Sequence, residues 1–452
     1  MNSIGDELPV AEKLRTSIRE MMPGIIADLG DLIRIPSVAF PGFPPGPVLG
    51  MARATEDLLK RYGLPDARLI TIPGGYPAVF AEVQAPPGAP TVTLYAHYDV
   101  QPAGDPLGWK SDPFTPVVRD GRLYGRGSSD NKAGILVNAA AILALSGDLR
   151  VGVKLIIEGE EETDSHLDSF VLANPDLFRC DLFVVADMGN LTPGSPAITT
   201  SLRGVCACTV RVRTLDHPVH SGAFGGPSPD ALIALVRILA TLHDAAGDPA
   251  VPGLKGSQWR GEEFPEDLFR DTAGMLDGVD LIGTGTIASR LWTGPSVNVI
   301  GLDAPGTATA ANILIPQAAA RISMRIAPGA DPAAEMKKLA DHLLAVAPWH
   351  VKVEIGEIRL FPGFECKTGG TGYKLARMAM ETAFGKPVHE IGGGGSIPLV
   401  NTLAKAVPGA EFILWGCADL YSNAHGTDES VEIGEIERMI LAEALLLASL
   451  GS

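Results

Sequence analysis

The chemistry open to this 452-residue chain is concentrated in a few short segments. His97 and Asp99 form an H-x-D pair, Asp130 follows a Gly/Ser turn, Glu158, Glu160, Glu161 and Glu162 crowd into five positions, Asp187 follows an apolar run, and His425 lies far downstream. Carboxylate oxygens and neutral imidazole nitrogens are the ligands of hard and borderline divalent metals, and two such ions commonly share a bridging carboxylate. In the H-x-D pair the imidazole is the ligand and the aspartate two residues on can orient the ring. Like charges directly after an apolar strand repel one another unless a cation or solvent relieves them. Each piece alone also has a plainer reading. A lone histidine at a strand end is structural, Asp130 is a helix N-cap, and the glutamates form a solvated turn. The ensemble outweighs those readings, because every member lies in a loop after a β or Gly-rich segment.

Residues 91–95, 151–157 and 182–185 are continuous apolar runs of strand length, followed respectively by His97 and Asp99, by the glutamate cluster and by Asp187. Buried strands that each end in acidic or imidazole groups are what a parallel sheet with a site at its carboxyl edge produces. Apolar recurrence at three and four residues predicts helices over 11–35, 48–61, 132–145, 371–384 and 433–450. Residues 112–127, rich in Pro, Gly and Arg, predict a surface loop. The middle of the chain differs: strands at 205–213, 296–300, 319–326 and 351–355 alternate with helices at 229–245 and 331–346. That order, β-α-β-β-α-β, is the pattern of a ferredoxin-like layer. The expected fold is an α/β catalytic domain, residues 1–204 and 363–452, interrupted by an inserted α+β domain over 205–362.

Composition narrows the function classes. The length exceeds what one core serves and favours two or three domains. With 46% hydrophobic and 20% charged residues the chain is an ordinary globular protein. A formal charge of -17 with no basic run argues against nucleic-acid binding. No segment approaches the ~20 apolar residues of a membrane span, and the N-terminal stretch lacks a signal core. Five cysteines without a CxxC pair suggest neither a disulfide framework nor a thiolate zinc site. Together these point to a cytoplasmic protein.

The segments Ala96-His97-Tyr98-Asp99-Val100-Gln101-Pro102, Gly125-Arg126-Gly127-Ser128-Ser129-Asp130-Asn131-Lys132, Glu158-Gly159-Glu160-Glu161-Glu162 and Asn423-Ala424-His425-Gly426 resemble the M20 metallopeptidases, in particular the carnosinase and cytosolic nonspecific dipeptidase branch. Ile33-Arg34-Ile35-Pro36-Ser37 and Gly394-Gly395-Ser396-Ile397-Pro398 extend the resemblance over nearly the whole chain. It implies a zinc-aminopeptidase-like catalytic domain with an inserted ferredoxin-like lid and dimerisation domain. It also implies two divalent metal ions, zinc foremost with manganese or cobalt accepted. His97, Asp130 and Asp187 would hold one ion, and Asp130 as bridge, Glu162 and His425 the other. Glu161 would be the general base and Asp99 the orienter of His97. From the inserted domain the resemblance implies His220 as an oxyanion donor reaching across a homodimer and Arg325 as the partner of a substrate carboxylate. Asn298, Gly395 and Ser396 would add substrate contacts.

The implied reaction is hydrolysis of the amide bond of a dipeptide or short peptide. The same metal pair also suits an N-acyl- or N-carbamoyl-amino-acid amidohydrolase, and a noncatalytic binding protein that kept the fold is a further alternative. Retention of Glu161 with every expected ligand argues against the last. Four departures bear on substrate rather than metal: Asp164-Ser165 after the glutamates, Asn131 after the bridging aspartate, Gly392-Gly393 in place of Arg-Glu, and Asp428 in place of Asn.

Overall fold

The computed structural model describes residues 4–395 and 397–451, so the expected substrate contact Ser396 lies outside the described residues. The chain divides into two compact units, one of residues 1–200, 366–390 and 399–452, the other of residues 201–365 and 391–398.

The first unit is built on a sheet whose centre is parallel. Gly152–Glu158, Thr91–His97, Leu182–Val185 and Glu411–Leu414 lie side by side in that order, each parallel to its neighbour. Ala78–Val83 adds antiparallel outside Gly152–Glu158, and on the other flank Glu411–Leu414 meets Ala197–Leu202 antiparallel. Central parallel strands are covered on both faces and read as unbroken apolar runs, and every residue of Gly152–Glu158 and Leu182–Val185 is buried. The helices Ile4–Ile33, Lys132–Ala144, Thr371–Phe384 and Ile433–Leu450 pack on one another in this unit. Two of them begin and end where predicted, and the caps explain why. Gly385 closes Thr371–Phe384 with φ 66, a left-handed conformation that glycine adopts without penalty. The Glu432 side chain accepts from Glu435 N and opens Ile433–Leu450.

Residues 112–127 are not only a loop. Val117–Arg119 and Arg122–Tyr124 form a hairpin around Asp120 and Gly121, both at positive φ, and Ser430–Glu432 pairs with its second strand. An Asp-Gly hairpin turn is legible locally, but its third strand lies some 300 residues away and leaves no local signal.

The second unit holds a four-stranded antiparallel sheet in the order Ser296–Asp303, Gln317–Ile326, Gly204–Arg213, Lys352–Phe361. The helices Ala231–Leu239 and Pro332–Ala345 lie against this sheet. Numbered in chain order the strands read 2-3-1-4, the ferredoxin-like arrangement that the sequence pattern predicts. Asp230 and Asp331 cap the two helices. The buried residues Val210, Val212, Ile322, Met324 and Leu339 form a core belonging to this unit alone.

One buried charge in the first unit has a measurable cost. Glu443, on Ile433–Leu450, is fully buried, and burial, offset in part by the Trp415 indole, pushes its carboxyl from 4.5 up to about 8. Between those values the unfolded chain has released the proton while the folded chain keeps it, so stability falls as pH rises. Relative to Glu443→Gln, wild type should lose about 1–4 kcal/mol of unfolding free energy between pH 5 and pH 8, levelling off above that. Denaturant melts of both proteins at several pH values check this, and parallel curves would place the charge elsewhere.

Candidate metal centre

The parallel strands deliver the acidic and imidazole groups to one edge. Thr91–His97 ends in His97, with Asp99 two residues on. Gly152–Glu158 runs into Glu160, Glu161 and Glu162. Leu182–Val185 is followed by Asp187, and His425 lies in the segment between Glu411–Leu414 and Ser430–Glu432. Asp130 stands immediately before the helix Lys132–Ala144, and the Asp130–Asn131 peptide bond is cis. All eight belong to the first unit.

Asp130 is the hub. Its Oδ1 lies 3.0 Å from His97 Nε2 and its Oδ2 3.0 Å from His425 Nε2. His97 Nε2 is also 3.3 Å from Asp187 Oδ1, and His425 Nε2 is 3.2 Å from Glu162 Oε2. Ligand atoms of His97, Asp130 and Glu162, and likewise of His97, Glu161 and Asp187, fall within 4.8 Å of one another. The two groups share His97 and adjoin through neighbouring glutamates. The remaining His97 nitrogen, Nδ1, lies 3.0 Å from the Asp99 carbonyl and 3.4 Å from its carboxylate. Asp99 thus meets the ring first through its backbone. Its carboxylate accepts instead from Glu161 N at 3.1 Å and Glu162 N at 3.0 Å, and so holds the glutamate turn against the histidine strand.

The electrostatics fit a cation. Burial, with Asp187 and other acids adding to it, raises the Glu161 carboxyl well above its ordinary value. Burial raises Glu162 as well, and it pushes Asp187 up to about 6 against the pull of His97. Burial alone would depress His97, yet Asp187, Asp130 and Asp99 together hold it well above the usual imidazole range. Hydrogen bonds that its ring donates to Asp130 and Glu162 push His425 up to about 11. Acids that resist ionising and imidazoles that retain protons are the mark of a site with excess negative charge, and divalent ions at these oxygens and nitrogens would neutralise it. Glu162 Oε1 is buried without a hydrogen-bond partner, an open coordination point in a donor set of the right chemistry.

The residues expected from the second unit are placed within it. His220 ends the strand Val219–His220, and its Nδ1 accepts from Gly222 N at 3.0 Å and Ala223 N at 3.2 Å. An imidazole whose Nδ1 accepts carries its proton on Nε2, a donor. Arg325 is half-buried on Gln317–Ile326, Asn298 is exposed on Ser296–Asp303 opposite Ser323, and Gly395 is exposed.

Two further residues position this centre: Glu429, for which the sequence gives no expectation, and Asn131, which it marks only as a departure bearing on substrate. Glu429 is fully buried, four residues after His425. Its Oε2 accepts from Arg126 Nη1 and Gly127 N, both at 2.7 Å, and its Oε1 from Ser129 N and Oγ at 2.9 Å and Asp130 N at 3.0 Å. One carboxylate therefore locks the turn that carries Asp130 to the segment that carries His425. Asn131 donates through Nδ2 to the Ala186 carbonyl at 2.5 Å, beside Asp187, which an aspartate there could not do. Gly134 permits that approach, since a Cβ would lie 2.5 Å from Asn131 Oδ1 and 2.7 Å from Ala186 O. Burial of a glutamate so soon after His425 was the available signal, but one acidic residue in a polar loop does not announce burial. Glu429→Gln, which sets an NH2 against N–H donors, should weaken divalent-ion binding by about 10–100-fold in a chelator competition. Unchanged affinity with a lowered melting temperature would restrict Glu429 to stability.

Residues 93–449 match Peptidase family M20/M25/M40. Over 379 residues the chain is 39% identical to a cysteinylglycine-S-conjugate dipeptidase of Corynebacterium striatum, covering 82% of this chain and 83% of that protein. It is 32% identical over 360 residues to the beta-Ala-His dipeptidase of Mus musculus, covering 75% and 72% of the two chains. The crystal structure of human carnosine dipeptidase 1 superposes with a TM-score of 0.83 at 27% identity, covering 98% of this chain and 99% of that one. With an α/β unit that gathers histidines and carboxylates at its sheet edge, a ferredoxin-like unit beside it in sequence, and these likenesses along most of its length, the chain belongs to peptidase family M20/M25/M40.

Proposed function

We propose that this protein is a metal-dependent dipeptidase whose centre holds two divalent ions, with His97, Asp130 and Asp187 at one and Asp130, Glu162 and His425 at the other. The observation that carries this reading is Asp130, which offers one oxygen to each imidazole, as a bridging carboxylate must. When bound, such a pair of ions acidifies water and polarises the scissile carbonyl. Glu161, beside Glu162 in the turn that Asp99 holds, takes a proton from the attacking water and returns one to the leaving amine. Its carboxylate stands within reach of His97 and Asp187, beside the position that the ions and the attacking water would share. The dipeptidase activities of the Corynebacterium striatum and mouse relatives support a dipeptide as substrate.

His220 Nε2–H is the oxyanion donor in this reading, supplied by a second copy of the chain, and Arg325 pairs with the substrate carboxylate. Asn298, Gly395 and Ser396 line the substrate. A homodimer is supported by the edge strand Ser296–Asp303, whose Val299, Ile300 and Leu302 are exposed. Zinc is the proposed ion, with manganese or cobalt accepted by the same donors. A cytoplasmic setting is supported by the five cysteines, all free thiols. Among the described residues no helix is long and apolar enough to cross a membrane.

The test is amino-acid release from a dipeptide panel, beside N-acetyl and N-carbamoyl amino acids, by zinc- or manganese-loaded protein. Dipeptide turnover that disappears with chelator and in Glu161→Gln supports the reading, whereas turnover of blocked amino acids alone would replace it with an amidohydrolase. His220→Ala should lower kcat by about 10²–10³-fold with metal content unchanged. Full activity in that variant would remove His220 from the mechanism.

A further inference from the structure

The sheet of the second unit has one face turned away from its helices, and the charges on that face are unevenly distributed. Toward the Arg213 end, Arg211 pairs with Glu357 at 2.7 Å, Arg321 donates to the Glu357 carbonyl at 2.6 Å, and Glu354 lies directly across from Arg211. Toward the opposite end stands Arg325, half-buried, directly across from Ser296. The Ser296 hydroxyl accepts from Arg203 Nη1 at 3.4 Å, which brings a second guanidinium to the same place. Arg203 is 7% exposed. Its Nη1 is also tied to the Arg290 carbonyl at 3.2 Å and the Gly294 carbonyl at 3.3 Å. Its Nε is buried without a partner, as is the Ser201 hydroxyl two residues earlier. Among the described residues no carboxylate bonds to Arg203 or Arg325. Burial depresses both guanidiniums, and Arg325 pushes Arg203 lower still, to about 10.

Two buried or half-buried cations without a counter-ion are costly in a chain whose net charge is -17. The adjoining loop keeps the space beside them clear. A Cβ on Gly394 would lie 3.3 Å from Arg203 Nη2, so any side chain there would cover the guanidinium edge that Nη1 leaves free. Gly394 follows the strand His389–Gly393, and as a glycine it puts no side chain, acidic or otherwise, against Arg203. A single α-carboxylate would balance one guanidinium and leave the other unpaired. We propose that Arg203 and Arg325 form a dianion site for peptides ending in aspartate or glutamate, Arg325 taking the terminal carboxylate and Arg203 the side-chain carboxylate. The proposal rests on the dipeptidase reading for its substrate and on the second unit alone for its geometry.

The experiment compares Ala-Glu with Ala-Gln and Ala-Asp with Ala-Asn on the metal-loaded wild-type protein, alongside calorimetric titration with glutarate and with butyrate. The acidic dipeptides should show kcat/KM at least about tenfold above their amides, and glutarate should bind at least about tenfold tighter than butyrate. In Arg203→Met the acid-to-amide ratio should fall toward one, while Arg203→Lys, which keeps the charge but not the fork, should retain part of it. Equal rates on Ala-Glu and Ala-Gln would overturn the dianion site and leave the dipeptidase reading intact. Tighter glutarate binding without hydrolysis of any dipeptide would support the site and overturn the dipeptidase reading instead. Glutarate binding no tighter than butyrate would overturn the site even if Arg203→Met failed to fold.

Discussion

Asp130 presents one oxygen to His97 and the other to His425, each at 3.0 Å, from a turn in which the N–H groups of Gly127, Ser129 and Asp130 itself donate to Glu429. The rest of the first unit is arranged so that this carboxylate meets the imidazoles rather than backbone donors. A buried carboxylate on a mobile turn would rotate to find its own donors. Here the turn's donors are already taken by Glu429, and Arg126 balances Glu429 at 2.7 Å. Among the described residues, Asp130 is left with the two imidazoles as the hydrogen-bonding partners of its carboxylate.

The same logic runs outward from the hub. Asp99 accepts from two backbone N–H groups of the glutamate turn and so fixes where Glu161 and Glu162 stand. Asn131 ties the helix start to the strand end that carries Asp187. Lys132 donates to the Leu32 and Ile35 carbonyls, closing the end of the first helix from inside the core, and burial lowers its ammonium to about 7. The ligand atoms are thus oriented by groups that are themselves buried and hydrogen-bonded. Placement of this kind gives a metal centre its geometry before an ion arrives. In the second unit the imbalance has the opposite sign, with Arg203 and Arg325 lacking acids as the first unit's acids lack cations.

Much of this was legible in the sequence. The three apolar runs 91–95, 151–157 and 182–185 became adjacent parallel strands, because a run buried on both faces leaves the same signature wherever it pairs. The β-α-β-β-α-β order became the ferredoxin-like sheet, since side chains alternating between two faces mark strands. The hairpin around Asp120 was only partly readable, as its third strand comes from Ser430–Glu432.

The sequence by itself determined which elements end in histidine, aspartate and glutamate side chains and so which ligand chemistry they offer. Residue type sets ligand chemistry, and periodicity sets the faces of helices and strands, both of which are local properties. Only the tertiary structure decided that Asp130 faces two histidines, that the Asp99 carboxylate serves the glutamate turn more than the histidine ring, and that Glu429 is buried under five donors. It also decided that Arg203 is buried without an acid beside it. These depend on contacts across some 300 residues of chain or on which charges burial leaves unpaired, and no local pattern of residue types encodes either.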